Sequence, residues 1–319
     1  MNFELDAQQR DFAASIDAAL AAADVPSAVR AWAGGDTGPG RKVWARLADL
    51  GVTALAVPER FDGIDAHPVD LVVALERLGR WCVPGPVTES IAVAPVLLAE
   101  DDRCNALAAG ELTVSVALRP QVPRAVDADT AGLVLVAEAD GFVSEAHVGD
   151  RHECVDPSRH LFDADAVSEP WQADVARAYE LGALATAAHL IGAAQALLHA
   201  AVDYAKQRAQ FGRIIGSYQA IKHKLADVHI ALELARPLVY GAALSLADQS
   251  ADTARDVSAA KAAASDAALL AARSALQTHG AIGFTAEHDL SLWLLRVQAV
   301  RSAWGDPASH RRRVLEALA

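Results

Sequence analysis

The chain has 319 residues, with 28 basic against 41 acidic side chains for a net charge of −13, and 53% hydrophobic residues, alanine supplying much of that share. Such acidity argues against nucleic acid or an anionic membrane surface as the main partner. Cys82, Cys104 and Cys154 are few, odd in number and without C-x-x-C spacing, which suggests a reduced, cytoplasmic setting with no disulfide framework and no zinc site.

The first residues, MNFELDAQQRDF, carry acids where a signal peptide needs bases, and no apolar run reaches about 18 residues, so neither export nor a membrane span is expected. Asp6 followed by Gln9 reads as a capping-box variant opening a helix with Phe12, Ile16 and Leu20 on one face. The run AGGDTGPG at 33–40 reads as a loop. A helix over 41–50 turns Trp44, Leu47 and Leu50 inward and stops at Gly51, a suitable residue just past a helix end. Val69, Val72, Leu75 and Leu78 mark a third helix, broken by Pro84 and Pro86. Residues 1–110 thus form an α-helical domain. Three short β-branched runs at 112–118, 132–139 and 141–148, separated by turn residues, predict strands in a small middle domain over 111–170.

Helical spacing returns near Tyr179 and predicts helices over 179–209, 217–249, 253–280 and 286–303 with a short final piece, a four-helix bundle over 171–319. Pro237 inside the second is expected to bend it, because its ring and missing N–H disrupt the ladder. The fold class is mostly α with a small β middle domain.

The segment YAKQRAQFGRIIGSYQAIKHKLAD at 204–227 is the most informative. Leu190, Ile191, Ala194, Leu197, Leu198, Ala201, Val202 and Ala205 form the apolar stripe of a helix whose last turn holds Arg208 and whose end is set by the positive φ that Gly212 can adopt. Arg208, Gln210 and Phe211 then lie at a helix-helix corner. Lys206, Arg208, Arg213, Lys222 and Lys224 make this a basic island in an acidic protein, suited to an anionic cofactor or to coenzyme A.

That corner resembles the acyl-CoA dehydrogenase family, in which an R-x-x-F-G turn after the long helix binds the pyrophosphate of an FAD held mainly by a neighbouring subunit. QTHGAIGFTAEHDL at 277–290 resembles the family's Q-x-x-G-x-x-G-F segment along the ADP half of the same FAD, and LADLGVTALAVPERFDG at 47–63 resembles its L-x-x-L-G-x-x-x-x-x-V-P-E-x-x-G-G segment. The match runs through the chain in order, strongest from Tyr179 onward and poor between about 112 and 166. The resemblance implies an N-terminal helical domain, a β-domain and a four-helix bundle, with Arg208, Gln210, Phe211, Gln277, Gly280 and Gly283 contacting FAD and no metal site. It also implies that the flavin-ring wall is missing or reduced, since the middle region is short and carries no W-x-T-like element.

The family's reaction removes an α-proton of an acyl-CoA with a glutamate while the β-hydrogen passes as hydride to flavin N5. Such a base needs a carboxylate in an apolar pocket, its pKa raised by desolvation. Counting from Arg296, the glutamate position falls on Gly305, within Trp304-Gly305-Asp306; counting from Phe284 it falls on Trp304. The alternative position near the start of the long helix falls on Gly182, with Ala183 beside it, and Glu180 is about 200° away on the helix, a solvated carboxylate on the opposite face. Asp306, one residue beyond and one methylene shorter, is the remaining candidate base. The pattern resembles the actinobacterial acyl-CoA dehydrogenases assembled as α2β2 heterotetramers, several of which oxidise steroid side-chain CoA thioesters. It implies a subunit that holds the ADP side of an inter-subunit FAD while a partner supplies the glutamate. The competing readings are a self-sufficient dehydrogenase using Asp306, and a non-catalytic scaffold or acyl-CoA-binding subunit.

Overall fold

The computed structural model describes residues 4–319. Its first part is helical: α1 (Ala7–Ala21), α2 (Val25–Ala33), α3 (Gly38–Asp49), α4 (Pro68–Arg80), a π-helical turn at Glu89–Val93, α5 (Ala94–Leu97) and α6 (Arg103–Ala108). A small sheet follows, built from β1 (Val114–Arg119), β2 (Ala125–Val126), β3 (Leu133–Glu138), β4 (Phe142–His152), β5 (Leu161–Ala166) and β6 (Trp171–Gln172). The last part comprises α7 (Val175–Gln207), a hairpin of β7 (Ala209–Gln210) and β8 (Arg213–Ile214), α8 (Gln219–Ala247), α9 (Thr253–His279), α10 (Leu290–Val300) and α11 (Pro307–Leu318). The expected class, mostly α with a small β middle, is what the chain adopts.

Local chemistry sets the element ends. Asp6 and Gln9 form a full capping box on α1, Asp174 accepts from Arg177 N to start α7, and Gly51 takes φ +76° just past α3. Sequence reasoning missed α2, because its nine residues sit between a helix and a Gly-rich run. The predicted loop at 33–40 shrinks accordingly, since Ala33 ends α2 and Gly38–Gly40 form the first turn of α3. In the sheet, ordered β1-β3-β4-β5-β2, β1 and β3 run parallel with Val114 opposite Leu133 and the other ladders are antiparallel. An irregularity between Val148 and Arg151 lets the 11-residue β4 pair with β3 and β6 at one end and β5 along the rest.

One apolar core runs from the N-terminal helices into the bundle, with α7 at its centre against α4, α8 and α9. Small residues permit the closest crossing. A Cβ on Gly79 would lie 2.0 Å from the carbonyl oxygen of His189, and one on Gly192 would lie 1.8 Å from that of Glu76, so α4 and α7 touch backbone to backbone.

Contrary to the expectation from apolar runs, α7 and α8 are both long and apolar enough to cross a membrane by length and composition. In α7 the apolar window is 83% buried inside the protein, so its hydropathy serves packing. The α8 window is only 39% buried, and Ile230, Leu234 and Leu238 form an exposed stripe at four-residue steps. This helix runs through Pro237 without interruption.

The α4–α7 crossing gives a direct test. Gly192→Ala is expected to lower stability by about 1–3 kcal/mol through overpacking. Gly241→Ala, in α8 with nothing within 4 Å of the added carbon, is expected to raise it by about 0.5–1 kcal/mol. Urea midpoints of the two variants check the opposite signs.

Candidate functional site

The R-x-x-F-G segment is a hairpin rather than a helix end. α7 stops at Gln207, Arg208 has extended backbone, and the turn is made by Phe211 (φ +54°) and Gly212 (φ +80°). Two consecutive positive φ values suit the right-handed twist of two-residue hairpins. Gly212 therefore turns a hairpin instead of closing α7 as the sequence suggested. Ile215 N bonds to Arg208 O at 2.8 Å, Tyr218 Oη reaches the carbonyls of Gln210 and Phe211, and Arg213 lies 4.0 Å above the Tyr218 ring. Phe211 is pushed outward to 91% exposure beside exposed Ile214. The Arg208 side chain has no hydrogen bond or ion pair with any described residue, whereas Lys206 pairs with Asp203 and Lys224 bonds to Gln277.

The second glycine segment lies at the same end of the bundle. Tyr204, in the last turn of α7, stacks on His279, in the last turn of α9, with ring centroids 4.3 Å apart. Gln277 is exposed and held by Lys224, and Gly280 turns the chain with φ +69°. Gly283 is buried where a Cβ would press on His279 and Leu290 at 2.9 Å. Exposed Ile282 and Phe284 follow. The structure thus brings both segments to one end of the bundle, where buried Gly283 underlies a surface with an unpaired guanidinium, amides, a left-handed glycine and bare apolar side chains.

The 304–305 turn, where the resemblance puts the base, is built differently. Trp304 and Gly305 both take positive φ, +55° and +94°. A bulky side chain there is strained and persists only when its surroundings fix it. They do so on every side. Trp304 Nε1 donates to Glu89 Oε1 at 3.0 Å, its carbonyl accepts from His310 Nε2 at 2.8 Å and Tyr179 Oη at 3.4 Å, and Lys261 Nζ donates to the carbonyls of Arg301 (2.9 Å) and Gly305 (3.2 Å). The indole is 1% exposed and fills the space in front of Gly182, where a Cβ would lie 2.3 Å from the ring. A Cβ on Gly305 would lie 2.6 Å from His310 Nε2 and 2.7 Å from Tyr179 Oη.

The other carboxylates do not compensate. Asp306 is exposed and caps α11, its Oδ1 accepting from Ser309 N at 2.7 Å, and that bond keeps its pKa below the usual carboxylate value, the reverse of what a base for carbon needs. Glu180 is not solvated as expected but largely buried in an ion pair with Arg313 of α11. Glu89, which sequence reasoning missed, is buried with its pKa raised by desolvation, partly offset by Arg159 and the Trp304 bond. It sits in the π-helical turn, a geometry frequent at functional sites, but here its carboxylate is spent on the indole. His310 stays neutral, its pKa pushed down to about 4 mainly by burial.

These features divide in their fit to FAD. The donors around Arg208 and Gln277 suit a pyrophosphate and its nucleotide, because a free guanidinium and exposed amides can make charge-assisted bonds. The space beside Gly305 is packed with indole and offers no slot for a ring. A separate cleft of about 1170 Å³ lies between Pro95–Asp102, β6 and the start of α7; Asp65, Glu100, Asp102 and Asp174 make its walls unsuited to a polyphosphate.

Known proteins resemble the chain along most of its length. Residues 6–100 match the acyl-CoA dehydrogenase N-terminal domain and residues 173–319 the C-terminal domain. The chain is 32% identical to acyl-CoA dehydrogenase IpdE2 of Mycobacterium tuberculosis over 296 residues, covering 91% of this chain and 90% of that protein. Among solved structures, it superposes on the ChsE4-ChsE5 complex from Mycobacterium tuberculosis with a TM-score of 0.86 at 22% identity, covering 100% of this chain and 99% of that one. A variant of the Tcur3481-Tcur3483 steroid ACAD gives 0.84 at 21% identity, covering 98% and 97%.

Lys261 provides a check on the 304–305 turn. Burial, aided by Arg301 and opposed by Asp306, lowers its pKa from 10.5 to about 7. Between those values the unfolded chain binds a proton that the folded chain does not, so this group makes stability rise with pH across that window. Lys261→Met is expected to remove a slope of up to about 1.4 kcal/mol per pH unit. Urea midpoints at pH 6.5, 8 and 9.5 measure it; parallel curves for wild type and variant would contradict the assignment.

Proposed function

The chain belongs to the acyl-CoA dehydrogenase family, whose members are FAD-dependent oxidoreductases, and we propose that it is the base-less subunit of a heteromeric member. In this reading the chain contributes the ADP side of an FAD site shared with a second acyl-CoA dehydrogenase subunit, and that partner carries the catalytic glutamate. The observation that carries it is the glycine at residue 305. No carboxylate stands at the base position, and a side chain there would collide with His310 and Tyr179.

Each retained residue then has a task. Arg208 neutralises the pyrophosphate with charge-assisted bonds that no internal carboxylate competes for. Phe211, held outward by the hairpin, covers the nucleotide and excludes water. Gln277, oriented by Lys224, offers its amide, and the left-handed Gly280 and close-packed Gly283 let backbone approach the ligand. Bound FAD supplies the acceptor for the β-hydride of an acyl-CoA. Removal of the α-proton falls to the partner, because Asp306 is a solvated cap and Glu89 is engaged by Trp304.

An α2β2 assembly is favoured by a second apolar surface. Besides the hairpin end, the stripe of Ile230, Leu234 and Leu238 on α8 is exposed, so the chain has one face for its FAD partner and another for joining two such pairs. The likeness to a described two-component complex and to a steroid ACAD supports a heteromer acting on a steroid side-chain CoA thioester in the cytoplasm.

Three experiments test the reading. The chain purified alone is expected to carry little flavin, and the complex with its partner one FAD per heterodimer. Arg208→Met in the complex is expected to weaken FAD retention about tenfold to a hundredfold, the worth of one charged hydrogen bond, read by flavin absorbance after dialysis. Gly305→Glu is expected to lower the melting temperature without conferring turnover on the isolated chain. A yellow, active homo-oligomer of the wild-type chain would sink the proposal.

A further inference from the structure

A cavity of about 470 Å³ lies between the end of β4 with its following loop and the last residue of α2. Arg151, His152, Cys154, Arg159 and His160 are among the residues lining it, and none of the lining residues belongs to the 208–214 hairpin or the 277–284 segment. His160 is 5% exposed and neither ring nitrogen has a hydrogen-bond partner. Its Nδ1 stands 3.6 Å from Oδ1 of the fully buried Asp127, which already accepts from Trp32 Nε1 at 3.2 Å and from His160 N at 3.0 Å. The side chains of Arg151 and Arg159 make no hydrogen bond or ion pair with any described residue.

Charge bookkeeping around this cavity is unusual for so acidic a protein. Asp156, also in the lining, is consumed by Arg296 Nε at 2.6 Å and by Ser158. His152 is paired with Asp163 at 2.8 Å. Glu153, exposed to solvent, is the other carboxylate in the lining. The imidazole of His160 is therefore buried without a partner, beside the guanidinium groups of exposed Arg151 and half-buried Arg159, which no protein carboxylate pairs with. A buried polar group without a partner costs about 1–3 kcal/mol, so an unpartnered His160 in the wall of a cavity points to a ligand there.

We propose that this cavity binds the oxyanion of a small metabolite, a phosphate monoester or a carboxylate. The planar guanidinium of Arg159 presents paired donors suited to two oxygens of one anion. Arg151 closes the site from the solvent side. His160, lining the cavity with Nδ1 3.6 Å from Asp127 Oδ1, offers its unpartnered Nε2 to the ligand. The inference is independent of the shared FAD site and survives whether or not that reading holds.

Calorimetric titration of the full chain, with any subunit that co-purifies, tests it at low ionic strength using inorganic phosphate and, separately, succinate. Saturable binding of phosphate identifies a phosphate ligand, and binding of succinate in preference identifies a carboxylate. In either case Arg151→Gln and Arg159→Gln are each expected to weaken binding at least about tenfold. Arg151 is exposed, so its substitution leaves the melting temperature unchanged. Arg312→Gln, an exposed arginine on α11, serves as the control and is expected to change nothing. Failure of both anions to bind saturably, or wild-type affinity in the Arg151 and Arg159 variants, overturns the proposal.

Discussion

Arg296 is the interaction on which the three parts of the chain depend. It sits on α10 with 1% exposure, donates from Nε to Asp156 Oδ2 at 2.6 Å, from Nη2 to Ser158 Oγ at 3.0 Å and from Nη1 to the carbonyl of Val83 at 2.9 Å. One guanidinium thus ties the C-terminal helices to the loop before β5 and to the segment after α4. Desolvation pulls the Asp156 pKa up, but the charge of Arg296 and the bonds from Ser158 outweigh it and leave the pKa lowered, so the pair is ionised at neutral pH. Removing either partner of such a buried pair typically costs about 3–5 kcal/mol, because the other charge is stranded. The arrangement adds little net stability over apolar packing, yet it admits only one relative placement of three segments.

That placement decides what the 304–305 turn can be. With α10 fixed, the chain must leave it at Arg301 and enter α11 at Pro307 through two left-handed residues, and the carbonyls freed by the turn are collected by Lys261, His310 and Tyr179. The indole of Trp304 then has one place to go, against Gly182 and onto Glu89. The glycine at residue 305 is therefore more than one isolated residue. The turn, the aromatic plug and the buried carboxylate that holds it form a packed unit, and packed interiors do not deform gradually to readmit a ligand.

How far the sequence spoke for itself follows from distance along the chain. The capping box at Asp6, the stop at Gly51 and the amphipathic stripe of α7 are local, and periodicity suffices to read them. The residues around Arg208 and Gln277 could be placed at helix ends, but not the hairpin itself, because two strands of two residues leave no period to detect. Glu89 was invisible for a different reason. Its partner is 215 residues away, and in VTESIAV it stands between Thr88 and Ser90 in a short polar triplet. A polar triplet enclosed by the apolar residues on either side was the available signal that it is buried and bonded. Glu180 failed in the opposite sense: helix angle placed it away from Gly182 correctly, but not the Arg313 that α11 brings to it.

The surface that remains is shaped before any partner arrives. Phe211 is both 91% exposed and in left-handed backbone, two unfavourable features that water does nothing to relieve. They are imposed from within, by Tyr218 Oη on the carbonyls of Gln210 and Phe211, by Arg213 stacked on the Tyr218 ring and by Ile215 N on Arg208 O. Ordering an arginine and an aromatic ring at a binding interface normally takes back part of the affinity it provides. Here the backbone of that hairpin is already fixed by the fold, so any ligand that meets Arg208 and Phe211 finds a preformed surface, in contrast to the packed turn at Trp304, which is closed.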